Sequence, residues 1–225
     1  MENSEKVGGR MVSRERMCHC TEGLKNWNPI WTKHGIRILP GPSSIWLDAL
    51  GNRFQAPNFP GFDTLSTLEA IMKTEYDYSW FILTQKIVEK EFELSGSEQN
   101  PDLTNKSFRK LLERFKKGVP SPVLAFLDYG EDFIIANNLN ELVYRMNQLS
   151  GDDLLQADHI RRQIEARDRE LDNKFSKDLQ VMAIRGARYY RGDKLVRTAK
   201  PHKILDPKNG PLIAVRLNII SRKTL

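Results

Sequence analysis

With 225 residues, 40% of them hydrophobic and 28% charged, the chain has an ordinary globular composition, which excludes a disordered tail or a collagenous repeat. Its 35 basic and 29 acidic residues give a net charge of +6, but Lys and Arg are interleaved with Asp and Glu. That patterning points to a solvated mixed surface and against a nucleic-acid module. No apolar stretch is long enough to cross a bilayer, and residues 1–16 lack the apolar core of a signal peptide, so a soluble, cytoplasmic protein is expected.

Residues 8–13 and 17–20 read as extended structure. Cys18 and Cys20 are the two cysteines, and a bridge between positions i and i+2 would be strained. Cys18, His19 and Cys20, with His34 as the nearest addition, fall short of the closed tetrahedral set that structural zinc requires, so no metal site is expected. Trp27 and Trp31 sit in an aromatic loop that should anchor to the body rather than stack on a ligand. Residues 36–39 and 45–48 are strand candidates, closed by Pro40-Gly41-Pro42 and by Gly51-Asn52-Arg53-Phe54. The spacing of Leu65, Leu68, Ile71 and Met72 predicts a helix over 64–73. Residues 79–84, rich in aromatic and β-branched side chains, predict a buried strand. Residues 86–94 read as a helix with Ile87, Val88, Phe92 and Leu94 apolar. A polar connection follows over 95–105, then a short helix over 108–115.

The stretch from Asp132 to Arg185 organises the rest. An apolar run, Phe133-Ile134-Ile135-Ala136, turns at Asn137-Asn138 into a helix carrying Leu139, Leu142, Val143, Met146 and Leu149 on one face. Asn138 can cap it, with Glu141 reaching back. A second helix is expected over 154–172, with Ile160, Ile164 and Leu171 inward and the charges, Arg167 and Asp168 among them, mostly outward. Residues 212–220 form the longest apolar run and suit a buried strand. His202, in the basic loop Lys200-Pro201-His202-Lys203, is expected to be exposed rather than catalytic.

The Ala136-Asn137-Asn138-Leu139-Asn140-Glu141-Leu142 helix entry, the second helix and the Asp178-to-Arg185 loop resemble the lid of the fumarate reductase/succinate dehydrogenase flavoproteins. Residues 21–29, 34–42 and 210–216 are similar to the branch of FAD-binding dehydrogenases related to 3-ketosteroid 1-dehydrogenases. Asp48, Gly51, Arg53 and Phe54 match that family's Asp-x-x-Gly-x-Arg-Phe turn, and Gln55-Ala56-Pro57 after it suits the steroid branch better than true fumarate reductases.

The resemblance implies an α+β fold, a small mixed sheet with packed helices. Residues 1–54 would be flavin-domain strands and an entry loop, 55–205 a substrate-capping lid, and 206–225 a return strand. It implies FAD as cofactor and a small carbonyl-containing substrate. Yet no Gly-x-Gly-x-x-Gly turn is present to aim a helix N-terminus at a pyrophosphate, so the chain alone is expected to bind FAD poorly and to be inactive. It reads as the middle of a larger flavoenzyme.

In such an enzyme, charge gathers on the substrate carbonyl oxygen as hydride moves to or from the neighbouring carbon, and fixed cations stabilise it. The resemblance implies Arg185 as the lid arginine, with Arg188 as its alternative, and Arg222 as a second catalytic cation. It implies Tyr189, or Tyr190, as an acid and places Lys223 and Thr224 beside the flavin. A different class of reading is a stand-alone interaction domain that self-associates through exposed edges at 36–39 and 212–220.

Overall fold

The structure, a computed structural model, describes residues 5–10, 12, 19–95 and 118–221. The helix expected over 108–115, Cys18, and the site candidates Arg222, Lys223 and Thr224 lie outside the described residues. Within them a seven-stranded sheet runs in the order β3-β4-β7-β1-β2-β5, with β6 also on β7. The strands are β1 (His19–Lys25), β2 (Gly35–Pro40), β3 (Ile45–Asp48), β4 (Tyr78–Thr84), β5 (Phe92–Leu94), β6 (Phe133–Ala136) and β7 (Leu212–Ser221). The helices are α1 (Thr64–Met72), α2 (Gln85–Glu91), α3 (Ser121–Tyr129), α4 (Leu139–Ser150), α5 (Ala157–Asp172) and α6 (Leu179–Ala187). The class is α+β, as expected. The sheet is antiparallel at every one of these pairings rather than mixed.

Period-two alternation in β4 and β7 sends side chains to two cores, one on each face. Phe81, Leu83, Ile213, Val215 and Leu217 face α2 and α3, packing with Ile87, Val88 and Phe126. Trp80, Ile82, Leu212 and Ala214 face α4 and α5, packing with Leu142, Val143, Met146, Ile160 and Ile164. Because both faces are covered, β4 reads as a continuous apolar run, and all seven of its residues are buried.

The strand β7 is the hub. One edge pairs with β4 from Leu212 to Asn218, while the other takes β6 from Leu212 to Val215 and then β1 from Asn218 to Ser221. Where β6 gives way to β1, the buried Asp132 carboxylate accepts the Lys25 amide at 2.6 Å and the Asn218 side-chain amide at 3.3 Å. Gly23 lies beside the bulge in β1, where a Cβ would come within 2.5 Å of the Asn218 carbonyl oxygen, so only glycine fits. This arrangement corrects the expected open edges. Among the described residues β2 pairs with β1 over residues 35–37 and with β5 over 38–40, and β7 pairs with β4 over 212–218 and with β6 and β1 on its other side, so neither is an edge strand of the sheet.

Two further expectations are corrected. The helix expected over 86–94 stops at Glu91, and Phe92–Leu94 turns extended to pair with Ile38–Pro40. In α5, Arg167 and Asp168 are buried, not outward, with Arg167 only 1% exposed. They lie seven and eight residues after Ile160, on the same helical face. The α4 cap stands as expected: Asn138 Oδ1 accepts the Glu141 amide at 2.9 Å, and Gly151 closes the helix in a left-handed conformation.

Candidate functional site

The turn after β3 is built around Asp48. Its Oδ1 accepts the amides of Leu50 and Asn52 at 2.9 and 2.8 Å, and Gly51 takes a positive φ of 82°. Gln163 of α5 clamps the turn from outside, accepting the Arg53 amide and donating to the Gly51 carbonyl, both at 2.6 Å. Phe54 packs edge-on to Trp46 with ring centroids 5.6 Å apart. Each residue of the Asp-x-x-Gly-x-Arg-Phe pattern thus has a local task, and together they aim the Arg53 side chain at one place.

That place is the N-terminus of α6. Arg53 Nη1 and Nη2 donate to the two Asp178 carboxylate oxygens at 2.7 and 3.1 Å, and Nη2 donates to Gln180 Oε1 at 2.6 Å. The pair is largely buried, and a fork-to-fork contact of this kind is stronger and more directional than a single hydrogen bond. Asp178 also caps α6 by accepting the Val181 amide at 2.9 Å. Burial alone would raise its pKa, but the Arg53 guanidinium and the Val181 amide outweigh that and hold it below its ordinary value. Gln180 completes the frame by donating to the carbonyls of Pro42 and Ser44 at 2.8 and 2.6 Å.

Beside this pair opens a cleft of about 240 Å³ lined by Arg53, Phe54, Phe59, Lys177, Asp178 and Leu179, with Gln55 and Ala56 at its rim. Its cations differ in kind. Arg53 is locked, whereas the exposed Lys177 has no ion pair or side-chain hydrogen bond among the described residues. A rigid ion pair, an apolar wall and one uncommitted ammonium can orient a carbonyl compound and donate a hydrogen bond to its oxygen.

Those sequence candidates that lie among the described residues do not line this cleft. Arg185 Nη2 donates to the carbonyls of Leu171 and Asn173 at 3.0 and 2.9 Å, closing the C-terminus of α5 and bracing the loop that carries Lys177. Arg188 Nη1 donates to the Thr198 carbonyl at 2.6 Å. Tyr189 is 89% exposed and does not line the Arg53 cleft. His202 is half-buried rather than exposed: Nδ1 donates to the Lys200 carbonyl at 2.8 Å, leaving Nε2 to accept from Thr84 Oγ1 at 2.7 Å. Sequence reasoning quoted Arg53 only as a motif match and missed Lys177. The signal for Lys177 was its place next to an Asp that caps a helix.

In the aromatic loop, Trp31 stacks on the buried His34 at 3.7 Å and Trp27 lies 5.3 Å from Tyr129, while both tryptophans keep an exposed face. No group of His, Cys, Asp and Glu among the described residues could hold a metal ion. No described helix is long and apolar enough to cross a membrane.

A family model, the FAD binding domain, matches residues 2–225. The chain is 55% identical over 223 residues to a KsdD-like steroid dehydrogenase of Mycobacterium tuberculosis (strain CDC 1551 / Oshkosh). It is 53% identical over 222 residues to one of Mycolicibacterium smegmatis. Each match covers 99% of this chain but only 39% and 41% of the respective relative, so the chain spans about two fifths of their length. No solved structure matches it significantly.

Strand β4 enters α2 at Thr84-Gln85 and β6 enters α4 through Asn137-Asn138, neither through a glycine turn, and the Gln85 amide is already given to the Pro211 carbonyl at 3.3 Å.

Proposed function

This chain belongs to the FAD binding domain family, whose cofactor is FAD, and on that footing we propose that it is the substrate-capping part of a FAD-dependent dehydrogenase or reductase acting next to a carbonyl. The carrying observation is the meeting of two motif segments far apart in sequence, the Asp48–Phe54 turn and the loop before α6, through the Arg53–Asp178 pair at the wall of one cleft. The likeness to steroid dehydrogenases favours a ring ketone as the substrate class. In this reading Arg53 and Asp178 fix the cleft wall and Phe54, Phe59 and Leu179 take the apolar body of the substrate. Lys177 donates to the carbonyl oxygen. Arg185 supports the loop that carries Lys177, and residues 55–205 work as the cap. The roles of Tyr189 and Arg222 toward substrate, and of Lys223 and Thr224 toward flavin, stand as further proposals of the same reading.

The test is binding of a steroid enone to the 225-residue chain, followed through tryptophan fluorescence. Lys177→Met is expected to weaken binding on the order of tenfold, the worth of one hydrogen bond from a charged donor. Its unfolding midpoint should stay unchanged, because the exposed Lys177 side chain makes no ion pair or hydrogen bond among the described residues. Equal affinity in the two proteins would remove Lys177 from the site.

A further inference from the structure

We propose that a second, basic cleft on this chain binds a small polyanion, a molecule carrying a phosphate or diphosphate group. The cleft, of about 760 Å³, lies between α2, the π-helical turn Asp193–Arg197 and the loop that follows it. Lys86 and Lys90, one turn apart on α2, converge on it with Arg188 after α6, Lys194 of the π-helical turn and Lys200 of the loop. The one carboxylate in the lining, Glu89, is already bonded by Gln85 Nε2 at 2.9 Å.

None of the five cations has an ion-pair partner among the described residues. Three of them rest on neutral acceptors instead: Lys86 Nζ on Asn209 Oδ1 at 2.7 Å, Lys90 Nζ on the Leu195 carbonyl, and Arg188 Nη1 on the Thr198 carbonyl at 2.6 Å. Lys203, which does not line the cleft, is paired with Asp172 at 2.6 Å. Five like charges facing a single carboxylate, Glu89, repel one another, and a bound anion offsets that repulsion. The imbalance calls for more than one negative charge on the ligand, which a single carboxylate does not supply. His202, also in the lining, registers the same field: burial, and then the cations of Arg167 and Lys86, depress its pKa. Ammonium groups on flexible stems recognise phosphate as point charges and need no glycine-lined backbone.

Calorimetric titration of the 225-residue chain tests this, first with inorganic pyrophosphate, then with ADP and with FAD, at low and high salt. The variant is Lys194→Ala combined with Lys200→Ala, two exposed side chains that make no hydrogen bond or ion pair among the described residues. Pyrophosphate and ADP are expected to bind at low salt, to weaken as salt screens the cleft, and to lose affinity on the order of tenfold or more in the variant. Failure of pyrophosphate to bind at low salt, or equal affinity in the variant, overturns the proposal. FAD competing with ADP identifies a flavin diphosphate as one source of the anion, and ADP binding indifferent to FAD identifies another phosphate carrier. Either supports the site. Enone binding is read at Lys177, so this proposal and the capping reading fail separately.

Discussion

Replacing Arg167 with leucine is expected to cost about 3–5 kcal/mol of unfolding free energy, the usual consequence of removing one partner from a buried ion pair. The guanidinium is 1% exposed and its Nη1 donates to Asp168 Oδ1 at 2.9 Å and to the His202 carbonyl at 2.8 Å. Without it the buried Asp168 carboxylate loses its charged partner, and Glu91 loses a cation that acts on it through space. The same deletion releases the loop that Asp168 Oδ2 fixes by accepting the Ile204 amide at 2.9 Å. Removing both members of the pair, as Arg167→Leu with Asp168→Leu, should cost well below the sum of the single changes, because neither is then left without its partner. Urea unfolding of the two single variants and the double variant measures this coupling, and strict additivity would show that the pair does not act as a unit.

The Asp178→Ala variant should lose about 2–4 kcal/mol, combining a helix cap worth about 1 kcal/mol with charge-assisted hydrogen bonds from Arg53. The loss also frees the Arg53 side chain, so enone binding should weaken along with stability. A pH signature separates this contribution from plain packing. The folded-state pKa of Asp178 lies below its ordinary value of 3.8, so its stabilisation is fully present above that value and is lost as the pH falls through the folded one. Glu91 runs the other way: burial raises its pKa above 4.5, so its carboxyl favours the fold most at low pH and less as the pH rises. Asp178→Asn should therefore flatten the acid limb of the stability profile, measured by urea midpoints across the acid range. An acid limb identical to that of the unsubstituted chain would contradict the pairing.

Legibility in the sequence followed how far each feature depends on distant residues. The helix α4 was readable because its cap, its apolar face and its glycine stop are all local, and β4 and β7 were readable because burial on both faces leaves near-continuous apolar runs. The strand Phe92–Leu94 was not. Ile87, Val88 and Phe92 also fit a helical face, and what ends α2 is a contact distant in sequence, Glu91 accepting from Ser43 Oγ at 2.6 Å and the Ala199 amide at 2.7 Å. Arg167 and Asp168 were placed outward on the strength of their charge, although the helical period already put them beside Ile160 and Ile164. For short elements and buried ions, tertiary pairing overrides composition. The Arg53–Asp178 pair shows the same limit at the candidate site. Both residues belong to recognisable segments, but 125 positions separate them, and only the fold makes them neighbours.

The proposed division of labour is tested most directly by how much flavin the 225-residue chain keeps. After incubation with excess FAD and gel filtration at moderate salt, the capping account predicts flavin absorbance far below one equivalent per chain. One FAD retained per chain, with catalytic turnover of an enone, would contradict it.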